Sequence, residues 1–463
     1  MSETIYLKDN DISGQRIDGS HVQDILRIAN VGRLKDNPDL LVFPQSFADT
    51  EDGIGDLPIL NARDYVYSTQ GNCISLKVYT GNMMGFVGVN DTFVSIHSRF
   101  AHEEEGVDSD EKYKDYFLYY MLQKVLSINV MRLEHLSSHK DKILDFLLFL
   151  FPGILKKALS QGLYREYVTR KYDDSHVRGA IDINRFIRND IPFKGGVSYN
   201  ARENSYDNSM TQLIRHTIEF IKYHPFGRYI LRNDPETQRC VSQITTSTPT
   251  YSSRNRQAVI NANLRPKVHP YYLNYRTLQQ RCLKILRHET LRYGTEKDKV
   301  YGILFDGAWL WEEYIASVIK DHMRHLTLSK GGKYYLFTNR RQRIVPDYLS
   351  IHAPNVVGDA KYIALDRFDD IKGERRATDI YYKTVMYMLR FNAKNGFLFF
   401  PTEHEMDPID YKIDGNTDRN LYKLGLKIAS GCNNYDEFCS VMNKGRNNNE
   451  KLFIAKYLSI TAP

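Results

Sequence analysis

Two aspartates and a lysine, Asp347, Asp359 and Lys361, carry the chemistry this sequence offers most directly. Asp359 and Lys361 lie two apart in a β-branched run, so in a strand both point to one face while Ala360 packs the other way. Asp347 sits in an earlier apolar run, 344–351, and the turn-forming cluster at 352–355 joins the runs into a hairpin that sets Asp347 opposite Asp359. Two carboxylates, helped by a backbone carbonyl near position 360, form a hard oxygen site suited to Mg²⁺, with Asp347 and Asp359 as its ligands. Such an ion would polarise a phosphodiester and lower the pKa of a bound water. Lys361, a compact point charge, would orient that water or stabilise the pentavalent phosphorus. This is the chemistry of a metal-dependent nuclease. Asp-x-Lys is short, however, and recurs at Asp110/Lys112, Asp370/Lys372 and Asp410/Lys412, and an ordinary hairpin with a surface salt bridge would use the same residues. Only the 359/361 copy sits late in a buried-looking strand with Pro346-Asp347 a strand and a turn before it.

The flanking elements give these groups a place. An amphipathic helix is expected over 301–319, a second helix over 378–388 and a buried strand over 396–401. Helix, strand, strand, helix, strand is the order of an αβββαβ-like core of a restriction-type nuclease working with one metal ion or two. Glu312, on the first helix, can point toward Asp347 and Asp359. Arg340, Arg341, Arg343, Lys372, Arg375 and Arg376 flank the core in sequence. They offer either a phosphate track, with Arg341, Arg343, Arg375 and Arg376 as DNA contacts, or solvated basic loops.

The rest of the chain is large enough to need organising. Its 463 residues and 42% hydrophobic content support two to four domains with real cores and exclude a disordered protein. A net charge of +7 permits nucleic-acid binding without requiring it. The five cysteines form no CxxC pair, which argues against a disulfide framework or a structural zinc and fits a reducing cytoplasm. The opening residues are polar and acidic, unlike a secretory signal, and the most apolar run, 143–151, is far short of the roughly 20 residues a bilayer needs. A soluble protein with no membrane role is expected. No Gly-x-x-x-x-Gly-Lys-Ser/Thr occurs, so nucleotide hydrolysis must belong to a partner.

In chain order, strand-like runs at 40–43, 65–67, 74–79, 85–89 and 93–97 are separated by Asn, Asp and Gly clusters, with an exposed loop at 49–56 and an acidic linker at 102–112. Helical spacing follows at 113–130 and 142–151, where Pro152 is expected to end the second helix. Another helix over 209–223 carries Leu213, Ile214, Ile218 and Ile221 on one stripe, with His216 and Glu219 as a satisfied pair on its surface. A helix over 271–293 precedes a charged break at 294–299. The expected fold is multidomain α+β: a β-rich N-terminal domain over 1–105, a mixed, mainly helical central region over 106–297 and a C-terminal α/β nuclease domain over 298–463.

Two separated regions together resemble the McrC family, the endonuclease subunit of McrBC-type and related LlaJI-like restriction systems. One runs from Gly162-Leu-Tyr-Arg-Glu-Tyr through Val177-Arg-Gly-Ala-Ile-Asp-Ile to Tyr206-Asp-Asn and Leu213-Ile-Arg-His. The other joins Leu304-Phe-Asp-Gly-Ala-Trp-Leu-Trp-Glu-Glu-Tyr-Ile to Pro346-Asp347 and Asp359-Ala-Lys361-Tyr. The resemblance implies a PD-(D/E)xK restriction-endonuclease-like domain, dependence on Mg²⁺ for which Mn²⁺ can substitute, and an N-terminal part that docks into the hexameric ring of a McrB-like AAA+ GTPase. That partner would bind the GTP, translocate double-stranded DNA and be stimulated by this chain. Asp347, Asp359 and Lys361 would be the catalytic set, with Glu312 the helix-borne acid. Relatives tend to carry Gln-x-x-x-Tyr on the second helix. Here Lys383 precedes Tyr387, and a cation there would contact a DNA phosphate as well as an amide does. Double-strand cleavage would need two nuclease domains, hence dimerisation of complexes. Two other readings stay open: a non-catalytic adaptor that stimulates the AAA+ partner, and a standalone nuclease.

Overall fold

The computed structural model describes residues 3–31, 40–44, 59–69, 73–90, 92–103, 113–126, 139–224, 227–232, 234–266, 269–288, 300–326, 334–352, 355–363, 365, 371–415 and 418–461, with only the backbone for 3, 139–146, 288 and 371–377. The loop expected at 49–56, most of the acidic linker and the break at 294–299 lie outside the described residues. The fold is mixed α/β with several sheets, divided into two compact units: Met1–Leu136 with Gly294–Pro463, and Ser137–Tyr293.

In the first unit all five expected N-terminal runs are strands, joined by Glu3–Lys8 and Gln15–Asp18 and by a helix, Val22–Ala29, that the sequence reading passed over. Val22, Ile25 and Ile28 are fully buried against Leu76, Val78 and Val87. One correction concerns 301–319. Tyr301–Asp306 is a strand, antiparallel to Met83–Val89 and parallel to Leu40–Phe43, and the helix starts only at Gly307. The Asp306 carboxylate caps that helix by accepting from the Ala308 amide at 3.0 Å. The first residues after the boundary expected at 297/298 thus complete a sheet made of N-terminal strands.

The C-terminal part of this unit is a six-stranded sheet: β1 (Met323–His325), β2 (Tyr348–Ser350), β3 (Val356–Ala360), β4 (Asn395–Thr402), β5 (Ile409–Lys412) and β6 (Asn420–Lys427). They lie in the order β1-β2-β3-β4-β6-β5, with β3, β4 and β6 parallel and the rest antiparallel. Helix α1 (Gly307–Ile319) covers one face, where the Trp311 indole donates to Phe399 O at 3.1 Å. Helix α2 (Ile371–Phe391) covers the other, packing Tyr387 and Met388 against Val357, Leu398 and Phe400. Gly358 is required on the α1 face, since a Cβ there would meet the Phe399 ring at 2.6 Å.

The second unit sets a small sheet beside its helices: Glu166–Asp174 pairs antiparallel with Val197–Ser205 over nine residues, and Ala180–Ile181 adds a short third strand. Its helical half centres on Ser209–Tyr223, whose expected apolar stripe is fully buried and whose start is a capping box at Asn208. Pro152 does not end its helix, which runs His139–Leu159. Burial of Leu147, Leu148, Phe151, Leu155 and Ala158 on both sides of the proline holds the helix through the missing hydrogen bond.

His216 also departs from its expected surface position. It is 4% exposed beneath Tyr251, Nε2 has no hydrogen-bond partner among the described residues, and Glu219 instead pairs with Arg215 at 2.9 Å and Lys222 at 2.8 Å. Burial, with Arg256 and Arg215 adding to it, pushes the imidazole down to about 4, against the opposing Glu219. Between that value and an ordinary 6.5 the unfolded chain binds the proton and the folded chain does not. Stability is therefore lost as pH falls through this window, by at most about 3 kcal/mol. Melting curves of wild type and His216→Gln between pH 7 and 4 should converge in slope if another group were responsible; the wild type is expected to fall more steeply.

Candidate active site

The register of β2 and β3 builds the site. Tyr348 pairs with Gly358 and Leu349 with Val357, so the next step along the ladder sets Asp347 beside Asp359. The two are tied through the backbone, Ala360 N donating to Asp347 Oδ2 at 2.8 Å. Asp359 follows the pleat onto the α2 face with Val357, and it is completely buried. Its carboxylate is ion-paired with Lys361 Nζ, which also donates to Ala360 O at 3.3 Å. Neither Asp359 oxygen has a hydrogen-bond partner among the described residues.

Electrostatics set this cluster apart from a surface salt bridge. Burial, then the neighbouring Asp359 and Glu312 charges, push the Asp347 carboxyl well above the usual carboxylate range, against the opposing Lys361 charge and Ala360 amide. Burial and then the same aspartates raise the Tyr387 phenol. Ionising Asp347 would therefore set its charge beside those of Asp359 and Glu312, with Lys361 already claimed by Asp359. A divalent cation would relieve that repulsion, and the donor set fits a hard ion that keeps several waters: Asp347, Asp359 and the Ala360 carbonyl. Among the described residues no group of three or more His, Cys, Asp or Glu is compact enough to hold a metal by itself. Glu312 is turned aside from such a role by His325, whose Nε2 lies 2.8 Å from Glu312 Oε1, while Tyr348 OH donates to Glu312 O at 2.6 Å.

A cavity of about 860 Å³ opens over the cluster, lined by Glu312, Asp347, Arg343, Lys383, Tyr387 and Trp309 among others. The structure thus brings together six of the residues singled out in the sequence: Asp347, Asp359, Lys361, Glu312, Lys383 and Arg343. Lys383 is exposed, 5.5 Å from the Tyr387 ring centroid. Arg341 stands on an exposed loop beside the cavity, while Arg375 and Arg376 fall on the first turns of α2, where side chains lie outside the described residues. Sequence reasoning missed His325, because the strand carrying it is three residues long with one buried residue and shows no period.

Comparison with known proteins places this arrangement. The model of the McrBC 5-methylcytosine restriction system component family matches residues 78–401, most of the chain and all of the site. The chain belongs to that family. Its fold is similar to a solved structure titled as a half-complex from a tetradecameric assembly of Thermococcus gammatolerans McrB AAA+ hexamers with bound McrC. The TM-score is 0.52 at 17% identity, over 99% of this McrBC-family chain and 100% of the other. A cryo-EM structure of the Thermococcus gammatolerans McrBC complex matches at TM-score 0.31 and 16% identity over 83% and 100%, too low to carry weight. No curated protein matches the sequence. Among the described residues no helix is long and apolar enough to cross a membrane.

Proposed function

We propose that the chain is the nuclease subunit of a GTP-driven McrBC-type restriction complex, a Mg²⁺-dependent DNA endonuclease with a PD-(D/E)xK core that cuts when assembled with an AAA+ GTPase. The observation that carries this reading is the backbone-linked Asp347 and Asp359 pair, Asp359 fully buried and Asp347 half-buried at the cavity wall, each disfavouring the other's charge. A surface salt bridge needs no such burial, and an adaptor gains nothing from its cost. Asp347, Asp359 and Ala360 O would hold the ion, which would supply an acidified water and a polarised phosphodiester. Lys361 leaves its partner to stabilise charge on the phosphorus oxygens, and Glu312, held by His325, faces the same cavity. Lys383 and Arg343, at the cavity wall, take flanking phosphates.

The partner follows from two things. The sequence has no phosphate loop of its own, and the structurally similar assembly is titled as McrB AAA+ hexamers with McrC. The partner therefore binds GTP, and two complexes meeting supply the second cut. Five free, buried cysteines fit a cytoplasmic location. The test is plasmid cleavage by the purified chain mixed with its AAA+ partner, GTP and Mg²⁺, with Mn²⁺ in parallel. Cutting is expected only in the full mixture, reduced about 10²- to 10³-fold by Lys361→Ala with partner GTP hydrolysis retained. Accelerated hydrolysis with no metal-dependent cutting would make the chain an adaptor, and cutting without nucleotide would make it a standalone nuclease.

A further inference from the structure

One wall of the cavity is a hairpin spanning 334–345, whose tip the nuclease reading leaves without a task. Its legs are closed by Ile344 N donating to Tyr334 O at 3.1 Å and Leu336 N to Gln342 O at 2.8 Å. Its base is fastened to the end of α2. Tyr334 packs edge-on against Phe391 with centroids 5.0 Å apart, Arg390 Nε donates to Tyr335 O at 2.5 Å, and Leu336 and Ile344 join the core under α2. Alternation along the leg then turns Phe337 outward, 56% exposed, at the corner of a turn in which Arg340 N donates to Phe337 O at 3.0 Å.

Single exposed apolar residues are ordinary, so exposure alone assigns nothing. Three further features do. Phe337 and Phe193 are the two exposed phenylalanines among the described residues, and Phe337 is the one on the hairpin whose Leu336, Gln342 and Arg343 line the cavity. Arg340, Arg341 and Arg343 follow it on the same turn and returning leg, all exposed, and Arg343 and Lys383 both line the cavity. Arg340 and Gln342 are both left-handed, at φ 60° and 54°, a strained conformation that neither side chain favours and that the anchored legs impose. A strained, anchored tip that carries one exposed aromatic ring and three exposed guanidinium groups within seven residues suits a polyanion that also has flat apolar faces.

Resting on the nuclease reading, we propose that this hairpin is a DNA wedge: Phe337 enters the duplex and stacks on an unstacked base while the arginines hold the flanking phosphates. Opening the helix beside the cavity bends the backbone toward Asp347 and Asp359. Rigid anchoring at Phe391 and Arg390 keeps the ring in place when the duplex resists. The arginines supply the salt-dependent part of affinity and Phe337 the salt-independent part.

The experiment uses the full chain assembled with its AAA+ partner, GTP and Mg²⁺, carrying Asp359→Ala so that DNA is bound and not cut, and a 30-base-pair duplex of arbitrary sequence. F337A should weaken duplex binding about tenfold, the size of one base–aromatic stack, with the salt slope unchanged. R341A should lower that slope by about one. F337W should retain affinity and lose emission on duplex addition well beyond the change in the parent, whose only tryptophans are Trp309 and Trp311. F337A binding within twofold of the parent, or an F337W signal no larger than the parent's, overturns the wedge. If F337A instead abolishes partner GTP hydrolysis with duplex affinity kept, the tip contacts protein and the wedge is again wrong. A complex with intact Asp359 that cuts plasmid, together with any of these outcomes, sinks the wedge alone; one that neither binds nor cuts DNA sinks the nuclease reading with it.

Discussion

Asp347→Asn is expected to make the metal-free protein more stable to heat while removing its Mg²⁺-dependent cleavage. The amide keeps the acceptor that Ala360 N needs and deletes a negative charge held beside Asp359 and Glu312. The folded-state pKa of Asp347 lies above its ordinary value of 3.8, so the folded chain keeps a proton that the unfolded chain has released. Stability is full below that ordinary value and is lost as pH rises through the folded one. The gain from the substitution therefore grows with pH above about 4. At neutral pH it should reach on the order of 1–3 kcal/mol, or a few degrees in melting temperature. On the proposed mechanism cleavage should drop by about 10³-fold or more, because the ion would lose a ligand and the scissile phosphate its nearest positive charge. Mg²⁺ should then raise the melting temperature of the wild type and leave the variant unmoved. Calorimetry with chelator and with Mg²⁺, beside the plasmid assay, decides the matter. A variant that melts lower without metal at pH 8 would mean that Asp347 is a structural pair member and not a strained ligand.

That trade is the physical reason the site was legible. A strand period of two places Asp359 and Lys361 on one face from sequence alone, and a hairpin places Asp347 opposite, so the geometry needed no long-range information. The same locality explains what was misread. Tyr301–Asp306 is apolar enough to merge with the helix after it, and its identity as a strand depends on partners more than two hundred residues earlier. His325 reaches Glu312 from a strand too short to show a period, and Phe337 looks like any apolar residue until the pairing of Tyr335 with Arg343 turns it outward. His216 was taken for a surface residue because Glu219 lies one turn away, whereas Arg215 and Lys222 claim that glutamate. In each case tertiary packing overrode a reasonable local reading.

A run of exposed apolar residues in the second unit leads to the second expected result. Ile181, Ile183, Ile187, Ile191 and Phe193, each 54% exposed or more, follow one another on the third strand, the helix Ile183–Asn189 and the loop after it in the second unit. That helix fully buries none of its residues, and Ile183 and Ile187 on it are left to solvent. On the proposed function, these exposed apolar residues are expected to take the AAA+ partner. Ile187→Glu combined with Phe193→Glu should leave the melting temperature unchanged, since both side chains already face solvent. Affinity for the AAA+ partner should fall by at least about a hundredfold, the loss of two apolar anchors, and partner-dependent cleavage should vanish with it. The proposed nuclease centre is untouched by these substitutions, so loss of cutting with the fold intact reports docking alone. Partner affinity within threefold of wild type would return the docking role to 1–105, where the sequence first placed it.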